Sequence, residues 1–234
     1  MGNASITGRW VLVRKMKLQT VLTSLIGTSL YLLLAIWGWG DIGGFFVNPA
    51  RVGLVIVTVA LAAAACFSES SGFGSGRKEL KSNRWVIAPL IVLSLAIGWL
   101  APHADHHNWW TIDGDVVRYV GLALYLIGGV VRLIPVFELK NRFSAFVAVQ
   151  EGHKLKTDGM YRLMRHPSYA GLLITTVGWC LVFRSSIGLL LTLAMLVPLI
   201  ARIQAEERFL HEEFGEEHAA YCRQTRWRLL PFVY

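Results

Sequence analysis

The sequence predicts an all-α, polytopic integral membrane protein of about six transmembrane helices, and three observations carry that reading. Of 234 residues, 54% are hydrophobic and only 16% charged. A soluble domain has about 25% charged residues, so charge is too scarce here to coat a water-facing surface. The apolar residues gather into six separated runs, and most of the 23 Lys and Arg fall into alternate segments between them. The same composition excludes a disordered chain. Three scattered cysteines (Cys66, Cys180, Cys222) without CxxC spacing exclude a disulfide framework and a cysteine zinc site.

A hydrocarbon core of about 30 Å needs about 20 apolar residues per helix. Val21–Trp39 meets this length. It is too long for a cleaved signal segment, and Trp37-Gly38-Trp39-Gly40 has no small-x-small cleavage pattern. Trp37 and Trp39 read as interfacial anchors. Val52–Phe67 and Val86–Ala101 are shorter but uncharged. Val116–Phe137 carries Arg118 near one end and Arg132 near the other. Only Arg184, Ser185 and Ser186 separate Tyr169–Phe183 from Ile187–Ile203, so these two read as a helical hairpin. The count is five if one short run is re-entrant.

With the N-terminus in the cytoplasm, every Lys and Arg except Arg51, Arg118, Arg132 and Arg184 lies on the cytoplasmic side, as the positive-inside rule requires. Both termini and the polar segments that could form a site are then cytoplasmic. The net charge of +8 is a topology signal and not a nucleic-acid footprint, since no aromatic residues interleave in a basic stripe. Gly72-Phe73-Gly74-Ser75-Gly76 lacks the strand-turn-helix setting of a phosphate loop and reads as a flexible linker. His103, Asp105, His106 and His107 fit no standard structural zinc spacing and read as an exposed polar outer loop. No metal is expected.

The chain divides into residues 1–115, three spans with little reactive chemistry, and residues 116–234, a core of span four, a cytoplasmic segment, the hairpin and a tail. The cytoplasmic segment holds Gln150, His153, Lys154, Leu155, Lys156 and Tyr161, then His166, Pro167, Ser168 and Tyr169. Asp158-Gly159 signals a turn, Tyr161–Arg165 suits a helical turn, and Pro167 suits the first turn of the next helix. Taken singly, His166, Tyr169 and Tyr161 are interfacial anchors. As a set at a helix N-terminus they can hold a carboxylate or a polar small molecule. Arg202 and Glu206 stand one turn apart where the last apolar run ends. Ionisable groups at membrane depth are costly enough to be functional by default. Pro198, just upstream, removes a backbone hydrogen bond and is placed to kink the helix around a cavity. Glu212, Glu213, Glu216 and Glu217 read as a solvated face, with Phe209, Leu210 and Phe214 turned inward.

Four separated pieces, in order, carry a resemblance: His153-x-Leu155-x-Thr157-x-Gly159-x-Tyr161, Arg165-His166-Pro167-x-Tyr169-x-Gly171, Arg202-x-x-x-Glu206-Glu207 and Phe214-Gly215-Glu216-Glu217. Over roughly residues 138–234 the chain resembles the isoprenylcysteine carboxyl methyltransferase family. The resemblance implies methyl transfer from S-adenosylmethionine in a cytoplasm-facing pocket closed by the C-terminal segment. It also implies cofactor contacts from Gln150, His153, Lys154, Leu155, Lys156, Tyr161, His166, Pro167, Ser168, Tyr169 and Glu206. Arg202 matches the family's substrate-facing arginine, which makes Arg202 and Glu206 the catalytic pair. His218 stands where the family often has tyrosine, although Tyr221 follows. The implied partners are a lipophilic or prenylated substrate and membrane lipids. A carboxylate nucleophile is already ionised at pH 7, so it needs orientation, which an arginine fork supplies, and no general base. A phospholipid N- or thiol S-methyltransferase would keep the cofactor site and change the nucleophile. A sterol-type reductase would need further basic residues for NADPH, and a scaffold would bind no cofactor.

Overall fold

The computed structural model describes residues 3–67, 78–79, 85–139, 148–149, 155–231 and 233–234, with side chains described from residue 21 onward outside the two short strands. It is almost wholly helical: α1 (Asn3–Trp39), α2 (Ile42–Val47), α3 (Pro49–Cys66), α4 (Ile87–His106), α5 (Val116–Leu139), α6 (Pro167–Val182), α7 (Ser186–Phe214) and α8 (Glu216–Gln224). Among the described residues, five helices are long and apolar enough to cross a membrane, and α6 is a shorter apolar helix of 16 residues. Leu25, Ile26, Leu30 and Leu33 of α1 and Leu190, Leu193 and Val197 of α7 are exposed, as lipid-facing helix surfaces are. The expected linker at Gly72–Gly76 lies outside the described residues.

Local signals set the helix ends. The Asp41 carboxylate accepts from the Gly43 and Gly44 amides and starts α2, and Asn48 caps α3 at the Ala50 amide with Pro49 in the first turn. Such caps satisfy amide donors that a helix cannot satisfy itself. Ser185 accepts from Gly188 N at 3.0 Å and starts α7, so the α6–α7 hairpin turns within three residues, as its sequence requires. Helix α7 runs on through Pro198 to Phe214. The Lys78–Glu79 and Ala148–Val149 strands pair antiparallel, Lys78 opposite Val149. This joins the segments that follow α3 and α5 at one end of the bundle.

Helices α5 and α6 pack with their backbones in contact. A Cβ on Gly178 would lie 2.7 Å from the Gly121 carbonyl oxygen, and one on Gly171 would lie 2.7 Å from that of Gly128. Only glycine fits at these crossings, the close approach that small residues permit between membrane helices. Two apolar cores result. One is built around Trp179, Phe183, Ile97 and Met195. The other, at the opposite end of the hairpin, is formed by Met164, Ala170, Leu199, Ile203 and Leu229.

At the far end of the bundle from the paired strands, three of the four arginines that fell outside the expected cytoplasmic set converge on Asp105, which is 3% exposed. Arg118 binds it with both terminal nitrogens, at 2.5 and 3.0 Å, and Arg184 Nε donates at 3.0 Å. Arg51 Nη1 stands 3.7 Å away, with its guanidinium 3.8 Å above the Trp39 ring. Arg118 also donates to the Val182 carbonyl, and Arg51 to those of Phe45 and Gly44. One carboxylate therefore ties α3, α4, α5 and the hairpin turn together. This corrects in part the reading of His103–His107 as an exposed loop: α4 continues to His106 and Asp105 is buried among three cations, while His106 and His107 are exposed. The His103 ring stacks on Trp99 at 4.6 Å. Among the described residues, no group of three or more His, Cys, Asp or Glu could hold a metal ion.

Candidate active site

The polar residues of the segment between α5 and α6 and those of α7 meet at the N-terminus of α6. Pro167 occupies the first turn and is buried. With φ preset by its ring, it starts the helix immediately after His166, so His166 and Tyr169 rise on one side. Their rings lie nearly parallel, 18° apart with centroids 5.7 Å apart. The Tyr169 hydroxyl is the junction: it accepts from Arg202 Nε at 2.7 Å and donates to Glu206 Oε2 at 2.9 Å. Arg202 and Glu206, one turn apart on α7, are thus joined through a residue of another helix. His166 Nδ1 stands 3.9 Å from the same Glu206 oxygen. Arg202 and His166 are each 7% exposed.

Glu207, one residue on, points 100° around the helix and serves a different purpose. It accepts from Arg165 Nε at 2.7 Å and Arg228 Nε at 2.8 Å, and His166 Nε2 lies 3.3 Å away. Backbone bonds extend the seam, with Arg165 N donating to the Trp227 carbonyl and His166 N to that of Arg228. The Arg165 guanidinium also donates to the Thr225 carbonyl at 2.8 Å. The C-terminal segment is thereby laced along the start of α6, with Leu229 in the apolar core beneath. Sequence reasoning took Glu207 only as a motif member and assigned no role to Arg165 or Arg228.

The turn before α6 completes the wall. Gly159–Arg162 forms a 3-10 turn that starts at the expected Asp158-Gly159 break. The Tyr161 carbonyl accepts from the Tyr221 hydroxyl at 2.8 Å. Burial, and after it Glu206, holds the Tyr161 phenol well above its ordinary range. His218, 4% exposed, packs near Tyr221, and burial pushes its imidazole below the usual value. Lys156 turns to Asp158, 2.8 Å away, Leu155 is half-buried, and Ser168 stands half-buried in the first turn of α6. Gln150, His153 and Lys154 lie outside the described residues. Glu212, Glu213, Glu216 and Glu217 are exposed while Phe209 is buried, as expected of a solvated face.

Two further groups border the site without having been singled out. Arg132 sits on α5 where its backbone meets Gly171, with its side chain exposed, and Tyr169 feels its charge. Its signal was its depth in an apolar span. Glu138, at the end of α5, has a buried Oε2 with no hydrogen-bond partner among the described residues.

Comparison with known proteins identifies relatives of the chain. The Isoprenylcysteine carboxyl methyltransferase (ICMT) family model matches residues 121–212, from the glycine face of α5 through Glu207. The chain is 37% identical over 167 residues to the probable protein-S-isoprenylcysteine O-methyltransferase of Oryza sativa subsp. indica, covering 68% of this chain and 84% of that protein. It is 30% identical over 169 residues to the protein-S-isoprenylcysteine O-methyltransferase of Saccharomyces cerevisiae, covering 71% and 68%. The solved structure of the eukaryotic intramembrane Ras methyltransferase ICMT aligns with 94% of this chain and 98% of its own, at 18% identity and a TM-score of 0.47. On the extent and identity of its relatives, this chain belongs to the isoprenylcysteine carboxyl methyltransferase family.

Proposed function

We propose that the protein transfers a methyl group from S-adenosylmethionine to the carboxylate of an isoprenylcysteine-like, lipophilic substrate. The observation that carries this reading is the Arg202–Tyr169–Glu206 relay beside His166, charged and polar groups gathered at the end of apolar helices. The donor set suits the cofactor. The charges of Glu206 and Glu138 both reach Tyr161 and complement a cationic ligand, while the Tyr161, His166 and Tyr169 rings offer aromatic faces to it. When bound, S-adenosylmethionine supplies an electrophilic methyl group on a sulfonium.

The chain's own residues then position the acceptor. Tyr169 fixes Arg202 at Nε, which sets the plane of a guanidinium suited to a carboxylate. Arg132, on the Tyr169 side of α5, brings a second positive charge. The acceptor is already ionised and needs no proton removed, so these groups act by orientation. Alignment of two reactants can lower a barrier by about 7–11 kcal/mol. The C-terminal segment, held by Glu207, covers the start of α6 and limits water. Residues 1–115 supply the lipid-facing approach and 116–234 the chemistry, with the pocket and both termini on the cytoplasmic side.

The test offers labelled S-adenosylmethionine to purified protein with prenylcysteine, phospholipid and thiol acceptors in turn. Base-labile label on prenylcysteine, with a rate flat above about pH 5, is the expected result. Transfer to an amine or thiol instead, with a rate that rises as the acceptor loses its proton, would refute carboxyl specificity. Displacement of the donor by NADPH would indicate a reductase.

A further inference from the structure

Glu138 takes no part in the network around Glu206 and Glu207, yet its surroundings are built. It lies in the last turn of α5 and turns onto the Asp158–Gly159 break, where a Cβ on Gly159 would stand 2.7 Å from both Cδ and Oε2 of Glu138. Gly159 has φ +61, a left-handed conformation that glycine adopts readily. The turn therefore meets the carboxyl with bare backbone, and a side chain there would displace it. Oε2 is buried and accepts no hydrogen bond among the described residues. Lys156, on the same turn, is engaged by Asp158 at 2.8 Å. Glu138 thus stands against the same turn, Gly159–Arg162, that carries Tyr161, and the Tyr161 phenol feels the charge of both Glu206 and Glu138. Glu206 receives the Tyr169 hydroxyl, whereas Glu138 Oε2 receives no donor from the described residues.

A buried acceptor left without a donor is costly, more so when charged, and such a group calls for an explanation. We propose that Glu138 is a cofactor-binding residue whose carboxylate receives the α-ammonium of the methyl donor. The assignment rests on the S-adenosylmethionine reading above. The sulfonium of that molecule has no N–H or O–H to give, and its ribose hydroxyls bring no charge. Its ammonium brings both, matching a buried carboxylate in hydrogen bonding and in charge.

Isothermal titration of the full-length protein in detergent would compare S-adenosylhomocysteine with its analogue lacking the α-amino group. Wild type is expected to prefer the amino-bearing ligand by tenfold or more. Glu138→Gln should weaken that ligand at least tenfold, leave the deamino analogue within about twofold, and melt, without ligand, no lower than wild type. Wild-type affinity of Glu138→Gln for S-adenosylhomocysteine, or an equal loss for both ligands, would overturn the assignment while leaving the methyltransferase reading intact. Binding of neither ligand by wild type would defeat the methyl-donor reading itself, and this assignment with it. Should Glu138→Gln not fold, Glu138→Asp keeps the charge and withdraws it by one methylene. The same selective loss is expected there, and unchanged selectivity would overturn the proposal.

Discussion

Tyr169 donates its hydroxyl hydrogen to Glu206 Oε2 across 2.9 Å while Arg202 Nε donates to the same oxygen of Tyr169 across 2.7 Å. One phenol thus sets the orientation of two charged groups from another helix. Tyr169→Phe removes the junction and keeps the ring against His166. Hydrogen bonds to charged groups contribute about 1.5–3 kcal/mol, so kcat/KM should fall roughly ten- to hundredfold, most of it in kcat. Steady-state methylation with the melting temperature as control checks this; an unchanged rate would mean that the relay does not position the substrate.

Asp105 anchors three arginines at the opposite end of the molecule. Removing one partner from a buried ion cluster leaves charges uncompensated, typically at about 3–5 kcal/mol. Asp105→Asn should therefore lower the unfolding temperature markedly, while the folded fraction binds S-adenosylhomocysteine as wild type does. Thermal unfolding in detergent paired with calorimetry separates the two effects.

Glu207 performs the corresponding task for the C-terminal segment. Arg165 and Glu207 are largely buried, but Arg228 is 36% exposed, so solvent screens part of the interaction. Glu207→Gln should destabilise by about 2 kcal/mol and expose residues 225–234 to proteases before the helices unfold. Limited proteolysis followed by mass spectrometry reads which end is cut first.

His218 makes the packing of α8 sensitive to acid. Burial lowers its imidazole below the ordinary value of 6.5. The unfolded chain takes up a proton near 6.5 and the folded chain only at lower pH, so the unfolded state binds more protons in between. Stability from this group is complete above pH 6.5 and declines as pH falls below it. Hydrogen exchange of the α8 amides should accelerate between about pH 6.5 and 5, and His218→Phe should flatten that dependence.

Five spans were legible as apolar runs that form helices long enough to cross a membrane, with α6 shorter, and the hairpin because three residues admit only a turn. Residue type and depth marked His166 with Tyr169 and Arg202 with Glu206 as separate candidates, and the family resemblance implied that they share one site. Other features needed three dimensions. Glu206 and Glu207 look equivalent in sequence, and only the helical turn between neighbours sends one to Tyr169 and the other to Arg165 and Arg228. Asp105 was read as part of a polar loop because its arginines come from three distant segments. The available sign was the set of arginines that the charge asymmetry left over. The glycines at 121, 128, 171 and 178 carried a readable pattern, two turns apart on each helix, that marks the α5–α6 contact. Glu138 gave no signal, since a lone carboxylate at a helix end is ordinarily solvated.

The most direct measurement is calorimetric binding of S-adenosylhomocysteine to wild type, His166→Ala and Glu206→Ala under identical conditions. Binding by wild type that weakens tenfold or more in both variants is the outcome predicted for one compartment shared by α6 and α7. Wild-type affinity in both variants would contradict it.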